Sequence, residues 1–315
     1  MSRWDISDPD RVHSSEFRLP YEQQRRDAEI ASPSVGRSGS GSEPSEKKIE
    51  RPAQSSTTRA QGPGTRRTKY EVQGRASSLR NTELQAMTDM GRFRAIDVRD
   101  LARFVYSDDE ARMNYDLTHL RKQGLVEKKT VFRAHKPARR IVTLTAQGHR
   151  FIQKASGLPK GQRIYYGIVK PRELDHDADL YKVYQKAVKE IGEKGGKNIR
   201  VRLDFELKES TIRAREAARH LPADMRGRWL AAVAEEHGLA IDGTAIRLPD
   251  IQVEYSLPDG RVERENLELL SQNYREQGIR SKAQAGFKIY ARAGETNRIR
   301  RALRDTGFVR EVLFV

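Results

Sequence analysis

The chain has 315 residues and a formal net charge of +16, from 60 Lys and Arg against 44 Asp and Glu. This excess of positive charge favours a polyanionic partner and predicts salt-sensitive binding. The absence of cysteine excludes disulfides, thiolate metal sites and cysteine nucleophiles. No segment approaches the ~20 apolar residues of a membrane-spanning helix, and no apolar signal-peptide core is found at the start, so we expect a soluble, cytoplasmic protein without a membrane partner.

Residues 1–68 have the composition of a flexible, disordered basic arm. Between Ser32 and Arg67 the sequence is dominated by Ser, Gly, Pro, Arg, Thr and Gln. Such a stretch has too little apolar surface to offset the entropy lost on ordering. We expect its cations to add nonspecific contacts to a phosphate backbone.

Three short helices are predicted in the next segment from caps, terminators and apolar spacing. The first begins at Asn81 or Thr82 and ends before Gly91, the second begins near Asp97, and the third is capped by Ser107 or Asp108 and terminated by Gly124. Apolar residues recur at helical spacing and are expected in the core: Leu84, Met87, Met90, Val98, Leu101, Ala102, Val105, Met113, Leu117 and Leu120.

A β-hairpin with a cationic tip is predicted after the third helix. The segments from Leu125 to Phe132 and from Arg140 to Leu144 are rich in β-formers, and the basic stretch RAHKPARR joins them. A closing helix begins at Thr145. The sequence GLVEKK is followed by a strand and then by the motif L-T-x-x-G. This pattern resembles the MarR-like winged-helix regulators, and the resemblance implies binding to double-stranded DNA.

The third helix is predicted to read the major groove, because helix-turn-helix domains place their second motif helix there. Its outward candidates are Arg112, Asn114, Tyr115, Thr118, His119, Arg121 and Lys122. Arg112 and Asn114 suit bidentate contacts to guanine and adenine. Phosphate contacts are predicted for Arg121 and Lys122, and for the hairpin residues Arg133, Lys136, Arg139 and Arg140. The alternative is that this face is only solvated.

The chain divides into an arm (1–68), a winged helix-turn-helix domain (69–156), a linker (157–174) and an α/β domain (175–315), giving an α+β fold class. The elements expected in the last part are a helix at Asp175–Ile191, a strand at Ile199–Leu207, helices at Thr211–His220 and Met225–His237, strands at Ile246–Tyr255 and Arg261–Leu270 around the turn Pro258-Asp259-Gly260, helices at Arg280–Arg292 and Thr296–Arg304, and a strand at Val309–Phe314.

The order helix, strand, helical insertion, strand, strand, helix, strand resembles the core of the PD-(D/E)XK nuclease-like fold. The resemblance implies that Asp250 and Glu268 hold Mg²⁺ and that a lysine two residues after the glutamate serves the attacking water. Leu270 occupies that position, so a degenerate domain is predicted. Lys282 on the following helix is the candidate replacement.

Other residues are candidates to complete a metal shell in a nuclease-like site. They are Glu206, in the predicted first strand, and the cluster Asp175-His176-Asp177. For Asp175 and Asp177 the alternative is helix capping, and for Glu206 it is an exposed strand position.

The whole layout resembles the replication-relaxation family of plasmids and integrative elements. The motifs that carry this resemblance are His176, Pro249-Asp250, Glu268, Tyr274, Lys282 and Tyr290. The resemblance implies a role in plasmid replication, DNA relaxation or mobilisation, with replication or transfer proteins as further partners.

Three functions therefore remain open. The first is a nucleoid-associated DNA-binding protein of a bacterial mobile element, the second a Mg²⁺-dependent DNA endonuclease, and the third a MarR-like repressor that forms a homodimer. Nucleotide-binding, dinucleotide-binding, serine hydrolase and zinc protease motifs are all absent from the sequence.

Overall fold

The computed structural model describes residues 67–72, 74–133, 136–167, 174–242, 245–270, 274–291 and 313–314. All of them belong to one compact unit that spans Gly62–Val315. Nearly all of the predicted arm, the predicted helix at Thr296–Arg304 and most of the predicted last strand lie outside the described residues. Within the described ranges, every helix is too short or too polar to cross a membrane.

The positive charge of the chain resides mainly outside the predicted arm. Residues 1–68 contain 12 Lys and Arg against 10 Asp and Glu, a net charge of only +2. The prediction that this segment as a whole is basic is therefore wrong, because its acidic residues nearly balance its cations. Residues 69–315 carry the remaining +14.

The first part of the described chain contains a β-hairpin, four helices and a small sheet. Its elements are β1 (Thr68–Val72), β2 (Arg75–Leu79), α1 (Asn81–Phe93), β3 (Ile96–Asp97), α2 (Val98–Val105), α3 (Glu110–Lys122), β4 (Val126–Arg133), β5 (Lys136–Leu144) and α4 (Ala146–Ala155). Strand order in the sheet is β3-β5-β4, with antiparallel neighbours. The β1–β2 hairpin was not predicted, because its polar residues give little apolar alternation. It packs on α4, where the rings of Tyr70 and Phe151 lie 5.7 Å apart.

Capping residues fix where the helices begin. The Asp97 carboxylate accepts a hydrogen bond from the Arg99 amide at 2.9 Å, as expected for the start of α2. Helix α3 is capped by Asp109 instead of the predicted residues. Ser107 and Asp108 have φ values of 52° and 65°, so they form the left-handed turn before the helix and cannot serve as its cap.

Gly91 lies inside α1 and does not end it, contrary to the sequence prediction. Helix α1 continues to Phe93. A Cβ atom at Gly91 would lie 2.6 Å from the Ile164 Cγ2 atom, and the Gly91 carbonyl accepts a hydrogen bond from the Tyr165 amide at 2.7 Å. Glycine at this position therefore allows the predicted linker to pack closely against α1.

Gly148 allows α4 to approach the loop before β4. The Thr145 hydroxyl caps this helix by accepting from the Gly148 amide at 3.0 Å. A Cβ atom added to Gly148 would lie 1.9 Å from the Leu125 carbonyl oxygen. This contact gives a physical reason for the glycine in the L-T-x-x-G phrase.

We expect Gly148→Ala to lower the free energy of unfolding by about 1–3 kcal/mol, because the new methyl group meets backbone that must shift. Gly227→Ala in the helix Ala223–Glu236 is the matched control, because a methyl group at Gly227 would meet no atom within 4 Å. It should raise stability by about 0.5–1 kcal/mol, through the better helix propensity of alanine. Urea unfolding monitored by circular dichroism measures both, and equal effects would contradict the packing argument.

The second part of the chain forms a five-stranded mixed sheet with helices. Its elements are α5 (Leu174–Glu193), β6 (Lys197–Leu203), α6 (Asp204–Ala217), a 3₁₀ turn (Ala218–His220), α7 (Ala223–Glu236), β7 (Ile241–Asp242), β8 (Ala245–Ile246), β9 (Ile251–Ser256), β10 (Val262–Leu270), α8 (Glu276–Gln284), β11 (Lys288–Ala291) and β12 (Leu313–Phe314). The strand order is β12-β11-β10-β9-β6. Strands β6, β9 and β10 are antiparallel neighbours, and β10, β11 and β12 are parallel.

Several element boundaries differ from the sequence prediction, and two of the differences place residues in another kind of element. Strand β6 ends at Leu203, and Glu206 lies in the first turn of α6, where its carboxylate accepts from the Leu203 amide. The prediction of an exposed strand position for Glu206 is therefore wrong, since the residue is buried. The predicted helix at Arg280–Arg292 is replaced by α8 and β11, because Gly286, with φ of 78°, reverses the chain between them.

One hydrophobic core runs through both parts of the described chain. The Phe93 ring lies 5.4 Å from the Tyr181 ring and 4.9 Å from the Tyr184 ring, so α5 packs directly on α1. Ile164 and Tyr165, in the stretch interpreted from the sequence as a linker, are buried in this core. Helix α5 thus connects the two parts through packed aromatic side chains.

Candidate functional site

Helix α3 presents a polar, cationic face to solvent. Its core stripe is Met113, Asp116, Leu117 and Leu120. The opposite side carries the predicted candidates: Asn114, Tyr115, Thr118, Arg121 and Lys122 are exposed, whereas Arg112 and His119 are half-buried. The periodicity of the helix brings all seven predicted residues to its outward and flanking faces.

Two buried carboxylates, Glu83 and Asp116, organise the cations next to this face. Arg80 Nη1 lies 2.5 Å from Asp116 Oδ1, and Arg67 Nη2 lies 3.1 Å from Glu83 Oε1. His119 Nδ1 lies 2.9 Å from the same Glu83 oxygen, so the imidazole is held against α1. Burial and the negative charge of Glu83 raise the pKa of Asp116, and the arginines oppose that shift.

Tyr115 is an exposed aromatic ring held between two guanidinium groups. It is 58% exposed, and its ring centroid lies 5.5 Å from the Arg67 guanidinium carbon and 5.3 Å from that of Arg80. Cation–π contacts of this kind restrict the ring. Arg67 and Arg80 were not among the predicted residues, because both precede α3 and reach it only through the fold.

The β4–β5 hairpin divides its predicted residues between surface and interior. Arg140 is exposed, as expected for a phosphate contact, and the backbones of Arg133 and Lys136 pair across the hairpin. The side chains of Arg133 and Lys136 lie outside the described part of the structure, as does His135. Arg139 is only 7% exposed, so its prediction as a phosphate contact is wrong. Strand alternation turns Arg139 inward where it turns Arg140 outward.

Arg139 instead lies within ion-pair distance of four aspartates. Its Nε atom lies 2.6 Å from Asp97 Oδ2 and its Nη1 atom 3.1 Å from Asp175 Oδ1. Its Nη2 atom lies 3.9 Å from Asp100 and 3.7 Å from Asp179. The cluster joins β5 and α2 to the first turns of α5, and Asp175 is one of the ion-pair partners of Arg139.

Asp250, Glu268 and Lys282 come together at one end of the inner strands β9 and β10. The register pairs Leu267 with Ile251 and thereby places Glu268 beside Asp250. The Glu268 Oε2 atom accepts from the Asp250 amide at 3.2 Å, and the Lys282 Nζ atom lies 3.0 Å from Glu268 Oε1. Helix α8 connects the parallel strands β10 and β11 and brings Lys282 to this end of the sheet.

Two further side chains contact this carboxylate cluster, and the backbone of a third residue borders it. His176 Nε2 lies 3.5 Å from Asp250 Oδ1, and the Tyr274 hydroxyl donates to Glu268 Oε1 at 2.5 Å. Asp204, which the sequence analysis did not single out, follows β6, and its amide donates to the Asp250 carbonyl at 3.0 Å. The sequence pattern that could have identified Asp204 as a site residue is an acidic residue directly after a strand.

The charges in the cluster shift its titrating groups. Partial burial lowers the pKa of His176, but the hydrogen bond and charge of Asp250 outweigh it and raise that pKa to about 9. Burial and the charge of Asp250 raise the pKa of Glu268, against the opposing effects of Lys282 and Tyr274. Desolvation of its carboxylate and the charge of Asp250 also raise the pKa of Asp204, although the residue is exposed at the surface. At neutral pH His176 is an imidazolium facing Asp250.

The arrangement of the carboxylates does not fit Mg²⁺. The ion prefers near-octahedral oxygen coordination that retains several waters. Glu268 is fully buried, and each of its oxygens already accepts from a protein donor. The Asp250 Oδ2 atom accepts from the Leu269 amide at 2.8 Å, and its Oδ1 atom faces His176. In the part of the chain that the structure describes, no group of three or more His, Asp or Glu side chains is placed to hold a metal.

No protein-family model matches the chain, and no curated protein matches its sequence. Among solved structures it is similar to Bacillus subtilis PadR in complex with operator DNA, at 13% sequence identity. The match covers 49% of this chain and 92% of the PadR chain, with a TM-score of 0.19. A score this low does not establish a common fold.

Proposed function

We propose that this protein binds double-stranded DNA through a winged helix formed by α1 to α4 and the β4–β5 hairpin. The observation that carries the proposal is the outward face of α3, where Asn114, Thr118, Arg121 and Lys122 are exposed beside Tyr115. Side chains of these types donate to phosphates and base edges. The exposed Arg140 extends the cationic surface onto the hairpin.

The distribution of acidic groups supports a polyanionic partner. Residues 69–156 contain 18 Lys and Arg against 10 Asp and Glu. Five of those acids are buried: Glu83, Asp89, Asp97, Asp100 and Asp116. Each lies within 4 Å of a cation, so half of the acidic charge of this part is compensated inside the fold while many of its cations face water.

The DNA region to which the protein binds would distinguish the two non-enzymatic roles. A mobile-element protein acting in replication, relaxation or mobilisation should protect a replication or transfer origin in DNase I footprinting. A MarR-like repressor should protect its own promoter as a homodimer. We favour the mobile-element role, because the motif residues His176, Asp250, Glu268, Tyr274 and Lys282 converge in one place. Absence of duplex binding at low salt would contradict the proposed function as a whole.

The second candidate function is a DNA endonuclease, and the observation that favours it is the convergence of Asp250, Glu268 and Lys282. We nevertheless expect supercoiled plasmid to stay intact with Mg²⁺, because protein donors occupy the carboxylate oxygens that would hold the ion. Agarose gels read the result, with Asp250→Ala and Glu268→Ala as controls. Nicking by the unmodified protein that disappears in both variants would overturn this expectation and establish metal-dependent hydrolysis.

A further inference from the structure

The helical insertion α6–α7 has exposed apolar side chains that its own core does not use. It buries Leu207, Ala214, Leu230, Val233 and Ala234 in a small cluster separate from the main core. Yet Ile212, Met225 and Trp229 remain exposed, which is half of the six large hydrophobic residues that are exposed in the described chain. Exposed apolar residues grouped on one element indicate a contact surface.

Arginines recur on the same two helices. Arg215, Arg219 and Arg228 are exposed, and among the described residues none of them has a carboxylate within ion-pair distance. Arg213, in contrast, forms an ion pair with Glu209 in the same helix. Among the described residues these three guanidinium groups are therefore outside ion pairs, although the exposed carboxylates of Glu216 and Asp224 lie on the same two helices.

Two hydrogen bonds fix the corner between α6 and α7. The Trp229 Nε1 atom donates to the Ala214 carbonyl at 3.1 Å, which places the start of α7 against the end of α6. The Arg226 guanidinium donates to the Leu221 carbonyl at 3.2 Å and closes the corner between the helices. We call this set the corner surface: Arg215, Arg219, Arg226, Arg228 and Trp229. Trp229 is 44% exposed within it.

We propose that the corner surface binds single-stranded DNA. Proteins that bind unpaired strands combine cationic side chains along the phosphates with aromatic rings on which bases stack, and the corner surface has both. The bond from its indole N–H to Ala214 holds Trp229 by one edge and leaves much of the residue available for stacking. The bases of an intact duplex are stacked on each other and offer no such face. This site does not depend on duplex binding by α3.

Trp229 reports its own contact, because the chain contains only two tryptophans, Trp4 and Trp229. The full-length Trp4→Phe variant leaves Trp229 as the single indole. Titration with a (dT)₂₀ oligonucleotide should quench its fluorescence saturably. A blunt duplex of the same length should give a clearly smaller change at equal salt.

The arginines are tested by replacing three of them in the Trp4→Phe background. Arg215→Gln, Arg219→Gln and Arg228→Gln together should weaken (dT)₂₀ binding at least tenfold and reduce the slope of log K against log salt by about 2. The matched control replaces the exposed Lys160, Lys189 and Lys197 by Gln, which removes the same charge from other elements. Circular dichroism confirms that each variant is folded.

Three outcomes would overturn the proposal: no fluorescence change with (dT)₂₀, an equal change with duplex, or equal losses in the two triple variants. An acidic peptide that quenches Trp229 when (dT)₂₀ does not would assign the surface to a protein partner instead. Duplex binding measured by gel shift on the same samples separates these outcomes from a failure of the proposed winged-helix function.

Discussion

We expect Arg139→Met to lower the free energy of unfolding by about 3–5 kcal/mol, because breaking a buried ion pair leaves its partner charge uncompensated. Asp97 and Asp100 are buried beside Arg139, and Asp175 and Asp179 approach it from α5. Arg140→Met is the matched control on the adjacent residue. Its side chain is exposed, so its effect should stay within about 0.5 kcal/mol. Urea unfolding at pH 8 measures both.

The deficit of Arg139→Met should shrink as the pH falls. Burial tends to raise the pKa of Asp97, but hydrogen bonds from Arg139 and Arg99 keep it below its usual range, so Asp97 stabilises the native protein above that range. Burial raises the pKa of Asp100 to about 6, so ionisation of Asp100 lowers the stability of the folded protein progressively between its ordinary pKa and pH 6, and the full cost is present above that. Without Arg139 both pKa values rise, and the folded variant binds protons that the unfolded chain does not bind until lower pH.

The same unfolding measurement at pH 8 and pH 5 checks this sign. The difference between Arg139→Met and the unmodified protein should be larger at pH 8. A difference that is equal at the two pH values, or larger at pH 5, would show that lost packing of the guanidinium stem, and not its charge, is responsible.

The second large effect concerns sequence discrimination by α3. We expect Arg112→Ala with Asn114→Ala to remove most of the preference for a specific duplex over random DNA, because each bidentate base contact contributes about 1–3 kcal/mol of discrimination. The ratio of the two affinities should fall by roughly 30-fold to 10⁴-fold. Affinity for random duplex should change little. Competition gel shifts with a footprinted site and with scrambled DNA measure the ratio.

The control for this prediction changes charge without changing the proposed base contacts. Arg121→Gln with Lys122→Gln should weaken binding to all duplexes alike and make the slope of log K against log salt shallower by about 2. If Arg112→Ala with Asn114→Ala discriminated its site as well as the unmodified protein does, α3 would not be the helix that reads DNA sequence.

Local sequence patterns determined the helices and turns that depend on near neighbours. The stripe Met113, Leu117 and Leu120 predicted the buried face of α3, because positions three and four apart share one face of a helix. The turn at Pro258-Asp259-Gly260 was predicted from residue types, and Gly260 has the positive φ of 86° that favours glycine. Boundaries were less accurate where neighbouring residues competed for one role, as Ser107, Asp108 and Asp109 did for the cap of α3.

The tertiary structure alone decided which charged residues face water. Arg139 and Arg140 are adjacent cations of the same type, and the sequence analysis gave them the same role; their faces depend on the strand to which they belong and on the aspartates that α2 and α5 bring to one side. Likewise, Arg67, Arg80 and Asp204 reach their sites only through packing of distant segments. The sequence by itself determined most of the helices and strands and the excess of positive charge, because these follow from local composition. Which of those charges remain available to a partner was decided by the fold, because compensation of a charge depends on contacts between residues far apart in the chain.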